Sequence, residues 1–135
     1  MEKNRSYLIT GGTSGIGKFV AQHLVERGHR VWITGTREET LTAALRDGVA
    51  SGGSVCDISS TDQVGQAFVD ATADGTLLDG VFANAGIDGE GVDARDVNPD
   101  NFLNVLDVNV VGTLRVAQAA FEHLNRPGAL VINSS

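Results

Sequence analysis

The chain has 135 residues, of which 41% are hydrophobic and 20% are charged, and its formal net charge is −7. That composition is typical of one globular domain, residues 1–135, with no apolar run near the roughly 18 residues that a membrane span needs. The acidic balance argues against nonspecific nucleic-acid binding, which requires basic patches. The single cysteine, Cys56, cannot form an internal disulfide, which favours a reducing cytoplasm, and it shares no metal-ligand spacing with the three histidines.

The predicted elements alternate between strands and helices. Short β-branched or apolar runs predict the strands, and apolar residues at helical spacing predict the helices. In chain order they are a strand at 6–10, a helix at 16–27, a strand at 30–34, a helix at 38–46, a strand at 54–56, a helix after Ser60, a strand at 78–83, a helix from Asn98 to about His123 and a strand at 129–133. This order predicts an α/β fold: a Rossmann-type doubly wound parallel sheet of five strands in three α/β/α layers.

Local signals mark where three of these elements begin or end. Ser60, with Gln63 three residues on, matches a capping box. Asn98 before Pro99 is an N-cap with proline at the first helical position. The run Arg126-Pro127-Gly128 is predicted to separate the last helix from the last strand.

The stretch TGGTSGIG, residues 10–17, lies between the first strand and the first helix. Glycine lets the backbone approach a ligand and adopt a positive φ, and a helix N-terminus offers unpaired N–H groups to an anion. The turn therefore predicts a dinucleotide's diphosphate site, with donors from Gly11, Thr13, Ser14, Gly15, Ile16 and Gly17. The alternative is a tight turn that only packs the helix against the sheet.

The end of the second strand bears on the choice of dinucleotide. Thr36 and Arg37 follow this strand, and no acidic residue occurs before Glu38. A carboxylate at this place binds the ribose 2′-hydroxyl of NAD, whereas a guanidinium pairs with the 2′-phosphate of NADP. We therefore predict NADP, with Arg37 as the clamp and Thr36 as a supporting donor, and NAD as the less favoured cofactor. Alternatively, Arg37 is a solvated residue that opens the next helix.

Five motifs, in order along the chain, resemble those of the short-chain dehydrogenase/reductase family. They are Thr10-Gly11-x-x-x-Gly15-Ile16-Gly17, Cys56-Asp57-Ile58, Asn84-Ala85-Gly86, Asn109 within Val108-Asn109-Val110, and Ile132-Asn133-Ser134-Ser135. The resemblance implies that Asp57, in a segment with Ile58, binds adenine. It also implies that Asn84, Ala85 and Gly86 lie along the cofactor, and that Asn109 and Ser135 are catalytic.

The resemblance also implies an activity. Hydride would move between the nicotinamide of NADP(H) and a carbonyl or secondary alcohol of a small-molecule substrate, in a protein that forms a homo-oligomer. The family's Tyr-x-x-x-Lys motif is absent from these 135 residues. We therefore interpret the chain as an incomplete, N-terminal portion of a longer reductase, which by itself is expected to bind dinucleotide without catalysing a reaction.

Other roles for the motif residues stay open. Asp57 could cap the following turn, and Asn84 could form an Asx turn. Asn109 shares a predicted helix face with Phe102 and Leu106, so it could be a core asparagine with satisfied hydrogen bonds. The rival functions are a non-catalytic dinucleotide-binding sensor or scaffold, and another Rossmann-type protein such as a sugar-nucleotide epimerase relative.

Overall fold

The computed structural model describes residues 3–134. Its strands are β1 (Ser6–Ile9), β2 (Arg30–Gly35), β3 (Gly52–Val55), β4 (Leu78–Ala83) and β5 (Leu124–Ile132). Its helices are α1 (Gly15–Glu26), α2 (Glu38–Arg46), α3 (Thr61–Ala71), α4 (Pro99–Leu106) and α5 (Thr113–His123), with a π-helical segment (Asp107–Gly112) between α4 and α5. The strands are parallel and lie in the order β3-β2-β1-β4-β5.

Each face of the sheet carries its own hydrophobic core. Leu8 and Ile9 are adjacent on β1, so their side chains point to opposite faces. Ile9 packs with buried residues of α1 and α2, whereas Leu8 packs with buried residues of α3 and α5. The predicted α/β fold, a doubly wound parallel sheet with helices on both faces, is confirmed. No helix within residues 3–134 combines the length and apolar character that crossing a bilayer requires.

The strand order reverses between β1 and β4. The chain passes outward from β1 to β3 and then returns to place β4 on the other side of β1. In an open α/β sheet a ligand crevice forms outside the carboxyl ends of the strands at this point. The residues that follow β1 and β4 are therefore the ones that this topology brings to a binding site.

The third strand begins earlier than predicted, at Gly52 instead of residue 54. Gly52 lies under the indole ring of Trp32, and a methyl group at position 53 would come within 2.6 Å of Leu41 Cδ1. Glycine is required because neighbouring side chains cover these two positions. Because glycine has a low strand propensity, the sequence pattern does not predict that positions 52 and 53 belong to a strand.

The fifth strand also begins earlier than predicted, at Leu124 instead of residue 129. Leu124 pairs with Leu78 and Ala129 pairs with Gly80, so the three extra residues on β5 form an irregularity inside the strand. Asn125 Nδ2 holds this segment through hydrogen bonds to Leu77 O (3.3 Å) and Asp79 Oδ1 (3.1 Å). The prediction that Arg126-Pro127-Gly128 separates helix from strand is therefore wrong, because the strand starts directly after α5.

Two predicted helix caps are present. Asn98 Oδ1 accepts a hydrogen bond from Asp100 N at 2.9 Å, and Ser60 Oγ accepts one from Gln63 N at 3.2 Å. The reciprocal half of the capping box differs from the prediction, because Gln63 Oε1 accepts from Asp57 N at 2.8 Å. Gln63 thus ties the start of α3 to the segment that follows β3.

Candidate functional site

The glycine turn between β1 and α1 leaves several backbone amides open. Gly11 and Gly15 have φ angles of +66° and +55°, a conformation that favours glycine. Ser14 is the N-cap of α1 but makes no side-chain cap, and the first backbone bond of the helix runs from Lys18 N to Ser14 O at 3.2 Å. The amides of Gly15, Ile16 and Gly17 precede this bond and point out of the helix end, where an anion binds.

Small residues let α1 lie directly against the turn. A methyl group at position 17 would overlap the carbonyl oxygen of Gly11 and come within 2.6 Å of Asn84 Nδ2. A methyl group at position 11 would come within 2.9 Å of Ala85 Cα. By contrast, nothing lies within 4 Å of the place where a Cβ of Gly15 would be, so this side of the turn is open.

A crevice of about 420 Å³ lies beside the glycine turn. One of its walls carries Thr34, whose Oγ1 is buried and has no hydrogen-bond partner within residues 3–134. The open amides beside this crevice suit a polar, anionic ligand such as a dinucleotide. The lining residues are Gly11, Thr13, Ser14, Thr34, Gly35, Thr36, Cys56, Asp57, Ile58, Ser59, Ala85, Gly86, Ile87, Asn104 and Val108.

A second cavity, of about 430 Å³, adjoins the first along Ala85, Gly86 and Ile87. It brings together the end of β4, the π-helical segment and the end of β5. Ser134 is the last described residue and lines this cavity, whereas Ser135 lies outside the described residues, so its predicted role is not tested. The lining residues are Asn84, Ala85, Gly86, Ile87, Asp88, Asn109, Val110, Thr113, Ile132, Asn133 and Ser134.

Thr10 and Asn84 join β1 to β4 at the switch point. Thr10 Oγ1 accepts hydrogen bonds from Asn84 N (3.0 Å) and Ala85 N (3.1 Å). Asn84 Nδ2 donates to the carbonyl oxygens of Thr10 and Gly11, both at 3.3 Å. Asn133 Nδ2 donates to Asn84 Oδ1 at 2.9 Å and so adds β5 to this network. Asn84 therefore links three strands. Thr10 and Asn133 lie in two of the quoted motifs, but neither was predicted to be a site residue.

Asn109 lies in the π-helical segment and faces the second cavity. Its Oδ1 accepts from Ile87 N and its Nδ2 donates to Ile87 O, both at 2.8 Å. The alternative of a core asparagine is wrong, because Asn109 is exposed and Phe102 and Leu106 are 55% and 39% exposed. The expected hydrogen-bond partner is present, in the backbone of Ile87. The amide instead fixes the loop after β4, and π-helical turns of this kind occur frequently at functional sites.

The segment after β3 contributes Asp57 to the rim of the first crevice. Asp57 is exposed, and its Oδ1 accepts from Ser59 N at 2.9 Å and from Ser59 Oγ at 2.7 Å, as expected for a carboxylate that caps a turn. Ile58 beside it is buried. Burial, with a smaller contribution from the charge of Asp57, raises the pKa of the Cys56 thiol to about 11. The thiol is therefore protonated at neutral pH.

The end of β2 places Thr36 and Arg37 differently. Thr36 is exposed and lines the first crevice, whereas Arg37 is exposed at the N-cap of α2 and does not line it. The carbonyl oxygen of Arg37 accepts from Thr40 Oγ1 at 3.1 Å, which fixes its backbone. Gly15, Ile16 and Gly17 also lie outside the crevice lining, at the open end of α1.

The topology and the turn together define a class of protein. A doubly wound parallel sheet, with a glycine turn and open helix amides at its switch point, is the architecture of dinucleotide-binding α/β proteins. Within this class, the model of the short chain dehydrogenase family matches residues 5–135. The chain belongs to that family.

Relatives of the chain include named reductases and dehydrogenases. Trihydroxynaphthalene reductase of Colletotrichum orbiculare is 32% identical over 133 residues, which are 95% of this chain and 47% of that protein. The structure of a variant of actinorhodin polyketide ketoreductase with NADPH has a TM-score of 0.89 and 27% identity, covering 98% of this chain and 53% of that one. The structure of NAD⁺-bound xylitol dehydrogenase has a TM-score of 0.86 and 30% identity, and the match covers 97% of this chain and 53% of that one. The chain spans about half the length of these relatives.

Proposed function

We propose that this protein is an NADP(H)-dependent oxidoreductase that interconverts a small carbonyl compound and a secondary alcohol. The observation that carries the proposal is the open end of α1, whose first amides lie beside a crevice at the switch point. The relatives' names, and the NADPH in one related structure, support it. That the protein is a cytoplasmic homo-oligomer stays a prediction.

The residues of the first crevice would hold the dinucleotide. Amides of Gly15, Ile16 and Gly17, with the hydroxyls of Thr13 and Ser14, would donate hydrogen bonds to the diphosphate. Asp57 and Ile58 would lie at the adenine, and Asn84, Ala85 and Gly86 would lie along the cofactor. When bound, the nicotinamide supplies or accepts the hydride.

The second cavity would hold the reacting carbonyl or alcohol. Asn109 and Ser135 are the proposed catalytic residues in this chain, and the acid of the Tyr-x-x-x-Lys motif would come from a segment outside residues 1–135. Asn109 already uses its side-chain amide to hold Ile87, so its backbone carbonyl is the group left to organise a water. Thr113 Oγ1 donates a hydrogen bond to that carbonyl at 2.8 Å.

Titration with NADPH and NADH tests the binding half of the proposal, and NADPH oxidation with a panel of ketones tests the enzymatic half. A protein that carries a Tyr-x-x-x-Lys segment together with these 135 residues is expected to bind NADPH in the micromolar range or tighter and to turn over at least one ketone. Residues 1–135 alone are expected to bind NADPH without turnover. The rival, a non-catalytic dinucleotide-binding module, would bind without turnover and would lack Tyr-x-x-x-Lys after residue 135. Absence of binding to either dinucleotide would refute both.

The preference for NADP is predicted to depend on Arg37. An Arg37→Ala substitution removes the guanidinium at the end of β2 and is expected to lower the ratio of NADPH to NADH affinity about tenfold, as for one lost charge-assisted hydrogen bond. Fluorescence titration of both dinucleotides measures this ratio. Arg46→Ala is the matched control, because Arg46 lies at the other end of α2 and pairs with Asp47. If the Arg37→Ala variant keeps the wild-type ratio of NADPH to NADH affinity, Arg37 does not bind the 2′-phosphate.

A further inference from the structure

Arg115 on α5 connects two segments that border the crevice. Its Nη1 donates to the carbonyl oxygen of Ile58 at 3.2 Å and to that of Asp107 at 3.3 Å, and its Nη2 donates to Asp107 Oδ1 at 2.9 Å. The side chain of Arg115 is only 18% exposed. One planar guanidinium therefore ties the π-helical segment, through Asp107, to Ile58, which lies 57 residues before Arg115 in the chain.

Packing reinforces this connection. Ile58 is 4% exposed and lies directly on Gly112, where a methyl group would come within 2.7 Å of Ile58 Cγ1 and 3.1 Å of Ile58 O. The contact brings the Ile58 carbonyl to the surface of the π-helical segment, within reach of Arg115. On the other side of this segment, Asn109 holds Ile87 through two hydrogen bonds. The π-helical segment is thus attached to both Ile58 and Ile87, which line the same crevice.

We propose that Arg115 is a positioning residue for the adenine side of the dinucleotide crevice, an inference that rests on the proposed function. Arg115 does not line the crevice and acts through Ile58, whose carbonyl it holds. Without the guanidinium, the segment with Asp57 and Ile58 keeps its contacts to Ser59 and Gln63 but loses its bond to the π-helical segment. The wall that faces adenine would then move relative to the glycine turn.

An Arg115→Met substitution tests this inference, because methionine retains the apolar part of the side chain and removes all three hydrogen bonds. We expect affinity for NADPH and for AMP to fall about tenfold, because of these three bonds only the one to Ile58 O holds the wall at the adenine. Affinity for nicotinamide mononucleotide is expected to stay unchanged. Arg95→Met is the matched control, because Arg95 pairs with Asp93 at 3.0 Å on a loop and is 87% exposed. This control is expected to bind all three ligands like the wild type.

Hydrogen exchange gives a second measurement that needs no ligand. In the Arg115→Met variant, amides of residues 56–60 are expected to exchange about tenfold faster, because the hydrogen bond from Arg115 to Ile58 is lost. Amides of β4 are expected to exchange at the wild-type rate, because the fold is retained. If this variant does not fold, Arg115→Lys replaces it. Lysine reaches one acceptor instead of three, so a decrease of about threefold in AMP affinity is expected.

The outcomes separate this inference from the proposed function. A wild-type protein that binds no dinucleotide overturns the proposed function, and the role of Arg115 with it. A wild-type protein that binds NADPH, with an Arg115→Met variant that binds NADPH and AMP equally well, overturns the role of Arg115 alone. A variant with a lower melting temperature and unchanged affinities shows that Arg115 serves stability only, which also overturns the inference.

Discussion

Replacing Gly17 with alanine is expected to abolish useful dinucleotide binding. The added methyl group would overlap the Gly11 carbonyl oxygen and press on Asn84 Nδ2, so α1 must move away from the turn. The first amides of α1 would then no longer converge on one anion. Losing roughly two charge-assisted bonds lowers affinity about a hundredfold, and the forced overpacking costs about 1–3 kcal/mol of stability.

Two other glycine-to-alanine substitutions are controls that separate the steric overlap at Gly17 from the general effect of replacing glycine with alanine. Gly65 lies inside α3 with nothing within 4 Å of its Cβ position, so Gly65→Ala is expected to stabilise the protein by about 0.5–1 kcal/mol. Gly15 also has open space but a φ of +55°, so Gly15→Ala is expected to cost about 1 kcal/mol through backbone strain. Wild-type affinity in the Gly17→Ala variant would show that α1 does not bind the phosphates.

The sequence predicts well the elements whose signals are local. The bounds of α2 and β4 agree with the prediction, and Ser60 and Asn98 cap the helices that they were expected to cap. In these segments the periodicity, the capping residue and the packing all favour the same structure. The glycine turn is also recognised, because its glycines occur where a strand must give way to a helix.

Features that depend on contacts between distant segments escape such a prediction. Gly52 becomes part of a strand because the indole ring of Trp32 covers it, and Leu124 joins β5 because it packs on the core beside β4. The π-helical segment around Asn109 appears as an ordinary helix in the sequence pattern. Thr10, Asn133 and Arg115 gain their roles from partners that lie 75, 49 and 57 residues away, which spacing alone does not indicate.

The Thr10 hydroxyl is the acceptor that holds β4 against β1 at the site. Thr10 is 2% exposed, and its Oγ1 accepts from the amides of Asn84 and Ala85. A Thr10→Val substitution keeps the shape of the side chain but leaves both amides without this acceptor. Because an unsatisfied buried donor costs about 1–3 kcal/mol, we expect the free energy of unfolding to fall by about 2–4 kcal/mol. Urea unfolding, with an unchanged m-value, measures the loss.

Thr34 offers the same substitution with the opposite expectation. Thr34 is 1% exposed on the neighbouring strand β2, but its hydroxyl has no partner within residues 3–134. Thr34→Val is therefore expected to leave stability unchanged or to raise it slightly, because no hydrogen bond is lost and no donor is stranded. Equal stability losses in the Thr10 and Thr34 variants would show that the hydroxyl of Thr10 does not hold the two strands together.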